Sequence, residues 1–158
     1  MEWLLALISG LSGSVLGAII TGWITRSQLK KQFNYQNEHK LELWKREEAI
    51  ALMAIDKEIA LNTYYLNKIK DFMDYQEETE MTIKDDQKAL YVDKWNKHSD
   101  LIGYHNTPIT DQLFPFYYNI NRVILNGFVT KELIKECSNM EATGRQLIKD
   151  RLSELNQK

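Results

Sequence analysis

Proline, glycine and cysteine are scarce in this 158-residue chain, which contains two, seven and one of them respectively. Four of the glycines lie between Gly10 and Gly22, so the rest of the chain is almost free of residues that break helices. This composition favours an all-α fold. Cys137 is the single cysteine, and an intrachain disulfide is therefore excluded.

Charge is missing from the start of the chain, where no charged residue other than Glu2 precedes Arg26. Residues 3–25 would extend about 34 Å as a helix, enough to cross a hydrocarbon core of ~30 Å. A cleavable signal peptide would need a basic start and a small-x-small cleavage site, and a phosphate-binding loop would need Gly-Lys-Ser/Thr. A buried helix of a globular domain would be uncharged on one stripe rather than all round. The run therefore predicts a single transmembrane anchor over residues 1–26.

The charges that flank this run predict its orientation. Arg26, Lys30 and Lys31 follow it, and no lysine or arginine precedes it. Because basic residues stay on the cytoplasmic side of a cell membrane, we expect the N-terminus outside and the C-terminal domain in the cytoplasm. Trp3 and Trp23 lie at the two ends of the run, where indole rings favour the headgroup level.

Small residues recur at every fourth position within the run, in two neighbouring rows. On a helix both rows fall on one face, where the lack of bulky side chains lets a second helix backbone approach closely. We expect this face to pack in a homo-oligomer or against another membrane protein, although such a face also occurs in spans that meet lipid alone. The predicted helix-packing residues are Gly10, Gly13, Ser14, Gly17, Ala18, Thr21 and Gly22.

The net charge of −2 hides a segregation of charge along the chain. Residues 26–46 carry six lysines and arginines against two acidic residues, whereas residues 47–86 carry four against eleven. A nucleic-acid-binding protein needs a broad basic face, so this distribution argues against nucleic acid as a partner. A basic segment beside the predicted span instead suits the anionic surface of a lipid bilayer.

The segment after the anchor changes character near residue 50. Residues 27–50 have few apolar side chains and predict a polar helical stalk, whereas apolar side chains then recur with heptad spacing. Asn62 interrupts this seam, and the spacing does not decide whether it sets the register of a coiled coil or is solvated in a bundle. The seam consists of Leu52, Ile55, Ile59, Asn62, Leu66, Ile69 and Met73.

Three further helices are predicted to complete a cytoplasmic antiparallel bundle over residues 51–158. The acidic stretch 74–88 predicts an irregular connection. Within it, Thr82 followed by Asp85 predicts the start of a helix that continues to about Ile102.

The last two helices are predicted from their start and stop signals. One is expected to begin at Thr110 with Pro115 in its first turn, and to end at Asn126-Gly127. Thr130 is expected to cap the final helix.

The sequence contains no motif that indicates catalysis, a cofactor or a metal. His98, Asp100 and His105 are close in sequence, but their spacing spans a predicted helix end and matches no usual ligand pattern. Cys137 has no neighbouring histidine or basic pair to activate its thiol, and its position favours the core. Nucleotide-binding glycine loops and nucleophile elbows are absent. We therefore predict no catalytic, cofactor-binding or metal site, and a protein that is not an enzyme.

Residues 8–25, ISGLSGSVLGAIITGWIT, precede a helix rich in Gln, Lys and Glu. This arrangement resembles the anchors of small single-span membrane proteins from low-GC Gram-positive bacteria and their prophages. The resemblance covers the first quarter of the chain. Similar architectures occur among phage-exclusion and abortive-infection proteins, so it implies a context, and no residue role is carried over with it.

Two functional hypotheses follow from these observations. The first is a single-pass inner-membrane protein whose bundle binds a partner or oligomerises at the cytoplasmic face, where the anchor raises its local concentration. The second is a membrane-active phage-related effector, holin-like or acting in phage exclusion or abortive infection. Such an effector would oligomerise through the small-residue face of its span.

Replacing Gly13 and Gly17 with Leu should abolish oligomers of the full chain in detergent. Two leucine side chains would hold neighbouring helix backbones apart and remove the short contacts on which packing of small-residue faces depends. Chemical crosslinking followed by gel electrophoresis measures the change. Unchanged crosslinking would contradict assembly through this face.

Overall fold

The computed structural model describes residues 2–84 and 89–157; of residues 2–20 and of His105 it describes the backbone alone. Within these residues the prediction of a helical bundle is confirmed. Two compact units are distinguished, Met1–Trp44 and Lys45–Lys158. The elements, in chain order, are α1 (Glu2–Tyr75), β1 (Glu80–Thr82), α2 (Asp93–His105), α3 (Thr107–Asn126), β2 (Phe128–Thr130) and α4 (Lys131–Asn156).

The first unit consists of the first part of α1. All side chains from Thr21 to Trp44 are exposed, including those of Arg26, Lys30 and Lys31. Of the helices with described side chains, none has a stretch apolar and long enough to cross a membrane. The span predicted over residues 3–25 lies almost entirely outside the residues with described side chains.

The second unit is built around the heptad seam of α1. Every seam residue is buried, from Leu52 at the start to Met73 at the end. The seam lies in one continuous core with residues from every other helix, which include Trp95, Ile102, Leu113, Phe116, Tyr117, Ile120, Ile134 and Ile148. Burial of large aliphatic side chains of this kind stabilises the fold by about 1.5–3 kcal/mol each.

Three ion pairs join α1 to α4, and one of them involves the first residue of α4. From one pair to the next, the residue number rises along α1 while it falls along α4, so the two helices are antiparallel. They are Glu48–Arg151 at 2.8 Å, Asp56–Arg145 at 2.6 Å and Asp74–Lys131 at 2.6 Å. The first two are bidentate, because each guanidinium donates to both oxygens of its carboxylate.

A short antiparallel ladder joins the connection after α1 to the connection between α3 and α4. Met81 lies opposite Val129, and the pairing is extended on one side by the amide of Ile83, which donates to Gly127 at 2.6 Å. The connection predicted as irregular therefore contains a strand. The sequence did not predict this strand because three alternating residues give too weak a periodic signal.

The predicted start of the second helix at Thr82 is wrong. Thr82 belongs to β1, and α2 begins at Asp93. The backbone of Tyr91 cannot join a helix because both of its polar groups are hydrogen-bonded to the side chain of Asn62: the Tyr91 N–H donates to it and the Tyr91 carbonyl oxygen accepts from it. The start of α2 is thus determined by a residue of α1.

The predicted start of α3 is also wrong, although its end is correct. The helix begins at Thr107 behind an Asn106 cap, so that Pro108 is the proline of the first turn and Pro115 lies inside the helix. Pro115 has no N–H, so it cannot complete the hydrogen bond to the carbonyl group four residues earlier. Gly127 ends the helix in the left-handed conformation with φ 65°.

Two further features of the last helix concern its cap and its packing. The hydroxyl of Thr130 accepts the amide of Leu133 at 3.2 Å, which confirms the predicted cap. Gly144 lies buried against α3, where a Cβ atom would overlap the side chain of Leu113. A side chain at position 144 would therefore require the Leu113 side chain to shift.

The end of α1 stores backbone strain at Glu77. The amide of Glu78 donates to Met73 and that of Glu77 donates to Asp74, the double hydrogen bond of a Schellman motif. The motif requires a left-handed residue, and Glu77 has φ 58°. This position is usually glycine, because a side chain in the left-handed region costs roughly 1 kcal/mol.

Replacing Glu77 with Gly should therefore raise the free energy of unfolding by about 0.5–1 kcal/mol. Trp95 is the only tryptophan of the second unit, so its fluorescence during urea unfolding reports on the bundle once Trp3, Trp23 and Trp44 are replaced by Phe. Glu78→Gly is the matched control; since Glu78 lacks a positive φ, this change should give no gain. Equal effects of the two substitutions would contradict strain at Glu77.

Candidate functional site

An apolar groove lies between the outward face of α1 and the residues that lead into α2. Its volume is about 560 Å³, which falls within the range of ligand-binding pockets. The apolar part of its lining consists of Ile50, Met53, Ala54, Leu61 and Tyr91. The polar part consists of Lys57, Glu58, Asp93 and Lys94.

The α1 wall of the groove belongs to a second apolar stripe, separate from the buried seam, that extends beyond the groove to Tyr64. Ile50, Met53, Leu61 and Tyr64 recur at helical spacing on the side of α1 that faces away from the seam. Their exposed fractions are 51%, 47%, 56% and 64% respectively. Four large apolar side chains that remain half exposed along one helix face are typical of an interaction surface.

Glu58 lies beneath the groove and caps α2, although it belongs to α1. Its side chain is 4% exposed, and its two carboxylate oxygens accept the backbone amides of Lys94 at 2.8 Å and Trp95 at 3.0 Å. The residue that precedes α2, Val92, has no side chain that could do this. A carboxylate at a helix N-terminus satisfies amides that have no partner within the helix and is stabilised by the helix dipole.

Asn62 fixes the other wall of the groove by pairing with the backbone of Tyr91. The side-chain amide of Asn62 donates to the carbonyl oxygen of Tyr91 at 2.7 Å, and the amide of Tyr91 donates to the Asn62 side-chain oxygen at 2.8 Å. Asn62 is fully buried. Neither interpretation left open by the sequence applies, because this asparagine neither pairs across a coiled coil nor faces solvent.

Behind Glu58, the rings of Trp95 and Tyr117 stack with centroids 4.6 Å apart. The Tyr117 side chain is buried, and burial together with the negative charge of Glu58 raises the pKa of its hydroxyl. Tyr117 therefore stays neutral at all physiological pH values. The stack closes the core beneath the groove, and the aromatic stretch 114–118 divides between core and surface, since Phe116 is buried while Phe114 and Tyr118 are exposed.

The charged groups around the groove differ in whether they already have a partner within the protein. The carboxylate of Glu58 is occupied by two amides of α2, and Asp93 lies in the first turn of α2, where the helix dipole favours it. The ammonium groups of Lys57 and Lys94 make no ion pair with any residue whose side chain is described. The exposed charges of the lining are therefore those of two lysines and one aspartate.

The structure distributes the site residues predicted from the sequence over three environments. All seven seam residues lie inside the bundle core, and the membrane-proximal Arg26, Lys30 and Lys31 are exposed on α1. Of the small-residue face, Thr21 and Gly22 are exposed, and a Cβ atom on Gly22 would meet nothing within 4 Å. The other five, Gly10, Gly13, Ser14, Gly17 and Ala18, lie outside the residues with described side chains.

Sequence reasoning missed the groove residues, although one signal for them was present. Ile50, Met53, Leu61 and Tyr64 share a helical face and mark a second stripe beside the seam. No local pattern marks Glu58 or Lys94, because their contacts join residues that are 36 or 37 positions apart.

The histidines and the cysteine form no reactive cluster in the part of the chain with described side chains, where no three His, Cys, Asp or Glu residues could hold a metal ion together. Burial and the charge of Glu136 raise the pKa of the Cys137 thiol to about 12, although Asn119 opposes the shift. The thiol is therefore protonated at neutral pH, as expected of a core cysteine. Burial, together with Lys97 and Lys94, lowers the pKa of His98.

Compared with protein-family models, with curated proteins and with solved structures, the chain matches none of them.

Replacing Asn62 with Asp should lower the free energy of unfolding by about 2–3 kcal/mol at neutral pH. The new carboxylate can still accept the Tyr91 amide, but it cannot donate to the Tyr91 carbonyl group and carries an unpaired charge into a fully buried position. Trp95 fluorescence during urea unfolding measures the loss. At lower pH a protonated carboxyl group can donate again, so the penalty should shrink.

Asn67→Asp is the control for this substitution, since it makes the same chemical change at an exposed position of the same helix. Its effect should stay within about 0.5 kcal/mol. Similar losses from the two variants would show that the Asn62 hydrogen bonds contribute little.

Proposed function

We propose that this chain is a single-pass membrane protein whose cytoplasmic helical bundle binds a segment of a partner protein in the apolar groove. The groove itself is the observation that carries the proposal. Its walls combine half-exposed aliphatic and aromatic side chains with a few polar groups, the composition of recognition sites in proteins.

The proposal assigns binding rather than chemistry to the groove because its buried polar groups already have structural partners. Glu58 accepts two amides of α2, and Asn62 is paired with Tyr91. These contacts leave neither group available as an acid, a base or a nucleophile. What remains for a ligand is apolar area, the shape of the groove, the ammonium groups of two lysines and the exposed carboxylate of Asp93.

The membrane anchor is proposed from the sequence. Residues 3–25 carry no charge, and Arg26, Lys30 and Lys31 follow them, as in a span with its N-terminus outside. Such an anchor keeps the bundle at the inner membrane face, where a high effective concentration makes modest affinity for a membrane partner sufficient. The small-residue face of the span would add a homo-oligomer or a second membrane protein to the assembly.

A photoreactive amino acid at Met53 should form a discrete protein adduct in the cells that naturally contain this chain. Met53 lines the groove and is 47% exposed, so a bound partner would lie within reach of its side chain. Adding Leu61→Asp should remove the adduct, because a charge in the apolar wall opposes docking. The adduct should remain in the membrane pellet after an alkaline wash.

The same photoreactive group at Lys149, exposed on α4, is the control and should give no such adduct. An adduct that survives Leu61→Asp, or one that forms equally from Lys149, would contradict docking in the groove. Release of the chain by the alkaline wash would contradict the anchor.

A further inference from the structure

We infer that the occupant of the groove is an amphipathic helix with acidic residues beside its apolar face, presented by a protein other than a second copy of this chain. This inference rests on the proposed function, and it names the chemistry of the partner segment.

The shape of the groove favours a helix. From Ile50 to Leu61 its α1 wall extends about 16 Å, or three helical turns. The side chains along it are about half exposed, so a thin acyl chain would leave much of their surface in water. A helix, 10–12 Å in diameter, is broader than an acyl chain and can present side chains to both the α1 residues and Tyr91 of the lining, as in helix-in-groove complexes.

The charge of the groove favours an acidic partner. Lys57 and Lys94 lack an ion pair with the described side chains, Glu58 is buried and occupied by the N-terminus of α2, and Asp93 is the one exposed acid of the lining. Carboxylates at the edges of a docked helix would meet the two ammonium groups at the boundary of a freshly buried apolar surface. Such charge complementarity determines the choice of partner and the rate of association.

The same charges disfavour a symmetric dimer through the groove. In a two-fold interface built on this surface, each copy brings two exposed lysines and one exposed aspartate to the contact, so positive charge is in excess on both sides. Like charges brought together in an interface oppose association. The partner therefore differs from this chain in charge at the contact.

Two synthetic peptides of about 15 residues test this inference. Both carry the same leucine face and differ only in whether glutamate or lysine flanks it. Binding to the full chain in phosphatidylcholine nanodiscs is measured by fluorescence anisotropy. The glutamate peptide should bind about tenfold more tightly than the lysine peptide, and the difference should fall with added salt.

The double variant Lys57→Glu/Lys94→Glu should reverse this preference. Lys135→Glu/Lys149→Glu changes the net charge equally at two exposed positions of α4 and should leave the preference intact. Leu61→Ser should weaken both peptides alike, because it removes apolar area from the wall and leaves the charge of the groove unchanged.

The outcomes separate the inference from the function on which it rests. If both peptides bind equally and Leu61→Ser weakens them, docking stands and the acidic partner is wrong. If neither peptide binds, docking of a helix in the groove fails as well. Displacement of the glutamate peptide by equimolar dodecanoate, or dimerisation of the chain that Lys57→Glu abolishes in sedimentation experiments, would overturn the inference in favour of a lipid or a second copy.

Discussion

The hydrogen bonds from two buried polar side chains of α1, Glu58 and Asn62, determine where the second half of the bundle begins. Both side chains are buried, so each needs a polar partner. The Asn62 side chain is hydrogen-bonded to the backbone of Tyr91, and the Glu58 carboxylate accepts hydrogen bonds from the first amides of α2. Because these contacts hold Tyr91 beside α1, they also create the second wall of the groove.

The acidic segment of the chain has a structural explanation. Four of its acidic residues have partners within the bundle. Glu58 accepts hydrogen bonds from the first amides of α2, and three others form ion pairs with basic residues of α4: Glu48, Asp56 and Asp74. The Glu48 carboxylate is 4% exposed, so loss of Arg151 would leave a buried charge unpaired, whereas the more exposed pairs contribute less. Packing against α4 thus accounts for three of the eleven acidic residues of this segment.

Local signals in the sequence predicted the parts of the fold that local forces determine. The heptad seam, the Gly127 turn and the Thr130 cap each depend on residues a few positions apart. The start of α2, the β1–β2 ladder and the groove depend instead on contacts between distant residues, such as Asn62 and Tyr91. Periodic patterns in a single sequence do not reveal which distant residues are paired. The second apolar stripe on α1 was the one feature of the site that such a pattern could have predicted.

The ion pair between Glu48 and Arg151 has a consequence for how the protein is made. Arg151 follows Glu48 by 103 residues, so a ribosome that adds 5–20 residues per second needs roughly 5–20 s to deliver it. During that interval the seam of α1 has left the ribosome while α4, which covers part of it, is still incomplete. The nascent chain therefore spends seconds with exposed apolar surface, and chaperones that shield such surface are expected to engage it before its last helix emerges.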